Sequence, residues 1–216
     1  GIGHLFLDMF DYTHDEAHLF NAIKIGRYLA YSAVSDENQA YWITTEGELM
    51  TYEMGSTGIA DYLLRLSKYV SNESIYLDIA RKAGKRISSL LIGEEVSNVF
   101  DDDIGSGKYL QQGGVSTTGM MKGLAGVGMF LKNLGTRYYN TNILTSLDNE
   151  YILAAQDIAT FLCGAYKSGS GRGTKIVVQN VNSSFVFSTT YTGSTEYSVN
   201  YESGAAGIMS FLSEVN

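Results

Sequence analysis

Apolar residues recur along this chain with the three- and four-residue spacing of one face of an α-helix. In four segments a glycine is followed by apolar side chains at the first, fourth, fifth and eighth positions after it. These anchor glycines are Gly1, Gly58, Gly126 and Gly207. The segments lack the strict alternation that strands show, so the pattern predicts four amphipathic helices.

A second glycine stands three residues before each of the last three anchors. The resulting pairs are Gly55 and Gly58, Gly123 and Gly126, and Gly204 and Gly207. Small residues in a first helical turn let other elements approach closely and leave the free N–H groups of that turn accessible. The pairs therefore predict tight packing at the helix starts, a ligand contact there, or both.

A second helical pattern follows each of the first three glycine segments. One runs over Glu73–Leu91 and another over Tyr151–Leu162, and the pattern after the first segment matches the second at an offset of 58 residues, Gly26 against Gly84. Each unit is thus predicted to be a helical hairpin, and stacked hairpins bury one another's apolar faces. We expect a single all-α domain over residues 1–216, with repeats near 1–33, 55–93, 120–164 and 204–216.

The connections between repeats carry strand signals. Residues 40–45 and 49–52 are rich in aromatic and β-branched side chains around Glu46-Gly47-Glu48, which predicts a β-hairpin. Lys175–Val178 and Phe185–Tyr191 predict another. Residues 97–119 are expected to be irregular.

Composition excludes several classes of protein. The 216 residues carry a net charge of −8, with a sequence pI of about 4.8, which argues against nucleic-acid binding. No apolar run approaches the roughly 18 residues that cross a bilayer, so we expect no membrane span. Cys163 is the one cysteine, so no internal disulfide forms. No signal peptide is seen, which makes the cytoplasm the default expectation.

The repeated motifs resemble those of the lanthionine synthetase C-like (LanC-like) family. The match is carried by Gly55–Arg65 with its partner helix to Leu91, by Gly123–Leu134 and by Tyr201–Leu212. The resemblance implies an α/α toroid of seven helical hairpins, each inner helix opening with Gly-x-x-Gly. This chain is long enough for about half of such a ring. We expect it to be a C-terminal part that lacks an N-terminal portion, or to complete its ring with a second copy.

The resemblance also implies a zinc site, held in family cyclases by Trp-Cys-x-Gly and Cys-His-Gly. These signatures fall on Tyr52-Glu53-Met54-Gly55 and Met121-Lys122-Gly123 here. Glu53 replaces one cysteine, while Met121 and Lys122 replace the cysteine–histidine pair. Methionine is a poor zinc ligand and lysine is normally protonated. We therefore expect neither zinc nor any other cofactor.

Aromatic and acidic residues cluster at the starts of the glycine helices, where a toroid would have its central funnel. The candidates for lining this funnel are Trp42, Tyr52, Glu53, Asp61, Tyr201 and Glu202. Carboxylates also pair favourably with the positive end of a helix dipole, so a purely structural role is an alternative. No catalytic residue is assigned.

Three functions follow from these candidates. The first is a module without zinc that binds a peptide or a partner protein in the funnel. The second is a glycan-processing toroid that uses Glu53, Asp61 or Glu202 as acid or base. The third is an active thioether cyclase, which requires the motif register to be wrong. A purely structural scaffold that dimerises through its open ends is the alternative to all three.

The histidines, the cysteine and two polar segments are expected to have structural roles. His14 and His18 are expected at the surface, with His14 in a turn, and His4 in capping or packing. Cys163 is expected to pack as a small hydrophobe. Asp101–Asp103 and the glycine-rich segment 168–174 predict a solvated loop and a hairpin tip.

Overall fold

The computed structural model describes residues 1–70, 74–98, 104–110, 117–136, 146–165, 177–179, 184–186, 200–202 and 204–215. Helices dominate this part of the chain, as the periodicity predicts. They are α1 (Ile2–Thr13), α2 (Glu16–Ser32), α3 (Ser56–Leu66), α4 (Ser74–Ser89), α5 (Leu124–Thr136), α6 (Ser146–Cys163) and α7 (Ala205–Val215). We call α1, α3, α5 and α7 the leading helices, and α2, α4 and α6 the trailing helices.

Helices α1 and α2, α3 and α4, and α5 and α6 form three hairpins, and α7 follows alone. This confirms the predicted helical units. The first hairpin turns at His14, whose backbone adopts the left-handed conformation (φ 56°). Asp15 then starts α2, because its carboxylate accepts a hydrogen bond from the Ala17 N–H at 2.9 Å. His14 therefore lies in the turn, as the sequence predicts.

The hairpins stack in chain order, leading helix on leading helix and trailing helix on trailing helix. In each stack, side chains of the next hairpin pack against a glycine of the trailing helix. A Cβ at Gly26 or Gly84 would collide with a leucine of the next leading helix and come close to a tyrosine of the next trailing helix. These contacts join Gly26 to Leu66 and Tyr76, and Gly84 to Leu134 and Tyr151.

Leading helices pack by a second repeated contact. The aromatic side chain four positions after an anchor glycine lies against the residue two positions after the previous anchor, as Tyr62 does on Gly3 and Phe211 on Gly128. Tyr62 is 3% exposed, whereas Leu5, which holds the same position in α1, is 53% exposed. The packing that covers this position in the later repeats is thus lacking on α1 within the described structure.

Short strands occupy the connections. They are β1 (Val34–Ser35), β2 (Ala40–Tyr41), β3 (Ile43–Thr44), β4 (Gly47–Glu48), β5 (Leu91–Asn98), β6 (Ile104–Leu110), β7 (Gly164–Ala165), β8 (Val177–Gln179) and β9 (Ser184–Val186). β3 and β4 form the first predicted hairpin, but with its turn at residues 45–46, and β2 pairs with β1 instead. β8 pairs with β9, which confirms the second hairpin within the described residues.

The prediction that residues 97–119 are irregular is wrong over Ile104–Leu110. This segment is β6, which pairs antiparallel with β5 from Leu91–Leu110 to Ser97–Ile104. Glycines at two positions, 105 and 107, hide the alternation that marks a strand. Gly107 is required by packing rather than by a turn, because a Cβ there would overlap the backbone of Phe161 on α6.

No described helix combines the length and the apolarity that crossing a membrane requires.

We predict that Gly58→Ala destabilises the protein, although alanine is the better helix former. A Cβ at Gly58 would overlap the carbonyl oxygen of Tyr52, which is backbone and cannot turn aside. The free energy of unfolding should fall by about 2 kcal/mol, in the range for overpacked sites. Denaturant unfolding measures the change.

Gly93→Ala is the matched control, because a Cβ at Gly93 meets open space. It should leave the stability unchanged within about 0.5 kcal/mol. Equal effects of the two substitutions would contradict the proposed backbone approach.

Candidate functional site

The loops that enter the leading helices fold back over the helix starts in the same way in three repeats. A Cβ on the second glycine of each pair would overlap the carbonyl oxygen six residues earlier. These pairs are Gly58 with Tyr52, Gly126 with Met120, and Gly207 with Tyr201. Glycine is required there because only hydrogen leaves room for that carbonyl.

Backbone hydrogen bonds link the three loops to one another. The N–H of Glu53 donates to the carbonyl of Met121 at 2.8 Å, and the N–H of Met121 donates to the carbonyl of Glu202 at 2.9 Å. All three residues stand five positions before their second glycine. We call residues 52–54, 120–122 and 201–202 the ledge, a continuous surface formed by equivalent positions of successive repeats.

The ledge carries one ammonium between two carboxylates. Lys122 Nζ lies 3.5 Å from Glu53 Oε2 and 3.6 Å from Glu202 Oε1. All three side chains are at least a third exposed, so water screens these pairs and each adds little stability. Their effect is to hold one ammonium group at the middle of the ledge.

A cleft of about 380 Å³ lies beside the ledge, at the N-terminal ends of α1 and α3. Its walls are mostly apolar, with a few polar groups from α1 and the ledge. The apolar side chains are Ile2, Ile25, Leu29, Met54, Ile59 and Met121, and the polar ones include His4, Tyr52 and Glu53. Concave, largely apolar surfaces with a few polar groups are typical of sites for small ligands.

A buried polar cluster lies at the cleft. Tyr52 Oη donates a 2.7 Å hydrogen bond to Asp61 Oδ2, and His4 Nε2 lies 3.7 Å from the same oxygen. Asp61 is only 6% exposed. Among the described residues, its Oδ1 and the Nε2 of His4 are buried without a hydrogen-bond partner. Buried polar atoms without partners are uncommon and costly, so these two call for an explanation.

Burial controls protonation in this cluster. Loss of solvent is the main cause that raises the pKa of Tyr52, with the negative charge of Asp61 adding to it, so the phenol keeps its proton and donates. Burial also lowers the pKa of His4 from 6.5. Asp61 opposes that shift, but 3.7 Å is too long for a hydrogen bond, and the desolvation of the imidazole outweighs the attraction.

Helix α1 is fixed against α3 by a separate ion network. Arg65 Nη1 lies 2.6 Å from Asp8 Oδ1, and Arg65 Nη2 lies 2.8 Å from Asp11 Oδ2. Tyr69 Oη also donates to Asp11, and this bond is the main reason that the pKa of Asp11 falls below its ordinary value. The network holds His4 on α1 beside Asp61 on α3.

The structure brings together five of the six residues predicted to line a funnel. Tyr52, Glu53, Tyr201 and Glu202 lie on the ledge, and Asp61 lies behind Tyr52. Trp42 is elsewhere: it is buried in the core, and its indole N–H donates to the Leu29 carbonyl at 2.8 Å.

His4 packs edge-on against the Tyr62 ring, with 5.4 Å between the centroids, as expected, and it also lies in the polar cluster. A signal for this was present, because His4 and Asp61 each stand three positions after an anchor glycine. Residues 101–103 and 168–174 lie outside the described residues, as does the side chain of Cys163. His14 is exposed and His18 is partly buried against Phe6.

In the described part of the chain, no group of three or more histidine, cysteine, aspartate or glutamate residues is arranged to hold a metal ion. Comparison of the sequence with protein-family models and with curated proteins, and of the structure with solved structures, finds no match. The family resemblance therefore rests on the motifs alone.

We predict that Tyr52→Phe lowers the free energy of unfolding by about 1–3 kcal/mol, because it leaves a buried carboxylate without its donor. The third repeat supplies a compensating change, since it has Met120 and Met129 at the positions of Tyr52 and Asp61. The double variant Tyr52→Phe with Asp61→Met should recover most of the loss in denaturant unfolding. A double variant less stable than Tyr52→Phe would contradict this account.

The lowered pKa of His4 makes stability depend on pH. The unfolded chain takes up the proton at His4 first, so the free energy of unfolding falls as the pH drops below about 6.5 towards the folded-state pKa. The pKa values of Asp11, Asp36 and Glu214 are lowered from 3.8–4.5, so these groups change the stability only at pH values below the range in which His4 titrates.

We predict that His4→Gln flattens the dependence of the melting temperature on pH between about 5 and 7. The control His14→Asn, at the exposed turn, should keep the wild-type slope. A slope that survives His4→Gln unchanged would contradict the assignment.

Proposed function

We propose that this chain is part of a LanC-like α/α toroid that binds a peptide in the cleft beside the ledge and does not catalyse zinc-dependent cyclisation. Stacked hairpins with glycine-initiated leading helices are what such a toroid requires. The single observation that carries the proposal is the position of Lys122, whose ammonium lies between Glu53 and Glu202.

The residues present do not fit a zinc ion. The backbone hydrogen bond from the Glu53 N–H to the Met121 carbonyl brings two positions of the expected ligands together, which supports the motif register. The side chains at the expected ligand positions are a carboxylate, a thioether and an ammonium, from Glu53, Met121 and Lys122. A catalytic zinc needs three good donors, and this set offers one, already paired with a fixed positive charge.

The cleft suits a short peptide segment. A volume of about 380 Å³ is within the range of sites for small ligands, and its mostly apolar wall matches aliphatic side chains. The excess of carboxylates over the single lysine at the ledge favours ligands that carry positive charge. The chain's net charge of −8 acts in the same direction.

The glycan-processing alternative remains a prediction with less support. Glycosidases place two carboxyl groups on either side of the bond that they break. Here Glu53 and Glu202 both pair with Lys122, and Asp61 is engaged by Tyr52.

Elemental analysis of freshly purified protein, without added metal or chelator, should find well below one zinc per chain. The triple variant Glu53→Cys, Met121→Cys and Lys122→His should bind about one zinc, because it supplies a Cys₂His donor set. One zinc in the wild-type protein would contradict the proposal. No zinc in a folded triple variant would contradict the motif register.

Binding is tested by titrating isotopically labelled protein with a pool of short apolar peptides. Amide signals of Ile25, Ile59 and Met121 at the cleft should shift, whereas Gly93 on β5 should not. Shifts spread evenly over the chain, or none at all, would contradict a peptide site in this cleft.

A further inference from the structure

The buried cluster holds two atoms that a ligand would satisfy. Asp61 Oδ1 is a hydrogen-bond acceptor, and a neutral imidazole accepts at one of its nitrogens. Both Asp61 Oδ1 and His4 Nε2 are buried without a partner in the described structure. His4 and Tyr52 form part of the cleft wall, so the cluster lies directly behind a cavity.

The side-chain cations nearest the cleft are engaged by other carboxylates. Lys122 is shared by Glu53 and Glu202, and Arg65 is engaged by Asp8 and Asp11. Within the described residues, the only ion-pair neighbour of Asp61 is His4, at 3.7 Å, and the burial of His4 favours its neutral form. A buried carboxylate with one phenolic hydrogen bond calls for a positively charged partner.

We propose that His4, Asp61 and Tyr52 form a binding site for a primary ammonium group, whose aliphatic chain lies along Ile25, Leu29 and Ile59. This inference rests on the proposed peptide-binding function and names the group that the cleft recognises. The ammonium donates to Asp61 Oδ1 and to the His4 imidazole, while Tyr52 holds Oδ2. The His4 ring, 19% exposed on the cleft wall, turns aside to admit it.

Other ligand classes fit less well. The starts of α3 and α5 are less suited to an anion, because Ser56, Leu124 and Ala125 already donate their N–H groups to loop carbonyls. A metal ion would find one imidazole and one carboxylate, since the phenol of Tyr52 stays protonated. A primary ammonium offers three donors and one charge, which matches two acceptors and one carboxylate.

The first test titrates n-butylamine into the wild-type protein at pH 7.5 and follows the histidine ring protons by NMR. The chain has only three histidines. The His4 signal should shift, and the His14 and His18 signals should stay fixed. Equal shifts of all three signals, or none, would overturn the proposal, as would an equal His4 shift with n-butanol.

Calorimetry then compares two isosteric variants. Asp61→Asn should weaken butylamine binding by about tenfold or more, because it removes the charge that the ammonium needs. Asp78→Asn is the matched control, since Asp78 is an exposed carboxylate on α4 paired with Lys82. Equal affinities of the two variants, or tighter binding of zinc chloride than of butylamine to the wild type, would overturn the site.

Three further probes distinguish a peptide amino terminus from a lysine side chain as the source of the ammonium. They also distinguish failure of the ammonium site from failure of the peptide-binding proposal. The probes are leucylglycylleucinamide, its N-acetyl derivative, and N-acetyllysine methylamide. Binding of the first alone supports a peptide amino terminus, and binding of the third supports a lysine side chain. Equal binding of the first two overturns the ammonium site but leaves the peptide proposal standing. Binding of butylamine without any of these three overturns the peptide proposal alone.

Discussion

The close approach of a loop carbonyl to the start of each leading helix is the contact on which the rest of the molecule depends. It requires glycine at residues 58, 126 and 207, because any Cβ there would overlap the carbonyl oxygen six residues earlier. This approach aligns Glu53, Met121 and Glu202 at equivalent positions. Their backbones then form hydrogen bonds from one repeat to the next. The glycines thus determine both the packing at the helix starts and the alignment of the ledge.

The same geometry separates two electrostatic environments. On the ledge, Lys122 and its two glutamates are exposed, so their interactions are screened and adjustable. At the base of the cleft, Asp61 and the Nε2 atom of His4 are buried, so each unpaired atom is costly. A ligand that bridges these environments gains specificity from the buried pair and apolar contact from the cleft wall.

Much of the fold could be predicted because helix periodicity is a local property. The glycine anchors and the 58-residue offset between Gly26 and Gly84 predict the hairpins from the sequence alone. Strand β6 was missed because three of its residues needed for alternation are glycine or serine, and its pairing with β5 is set by packing on α6. The first β-hairpin was expected with longer strands, because aromatic residues such as Trp42 suit a strand and the core equally.

The candidate site was only partly predictable. Tyr52, Glu53, Asp61, Tyr201 and Glu202 were found because they lie at fixed distances from glycines. His4 was not assigned to it, since a lone histidine near a helix start is consistent with simple packing. Its contact with Asp61 depends on how α1 stacks on α3, which involves Arg65 and two aspartates that no motif marks.

The most direct test of the central claim is amide hydrogen exchange at the ledge, measured by NMR on the wild-type protein. We expect the amides of Glu53 and Met121 to exchange as slowly as those in the middle of α3, because both are bonded to the neighbouring repeat. Exchange of both amides at the rate of a free peptide would contradict this claim.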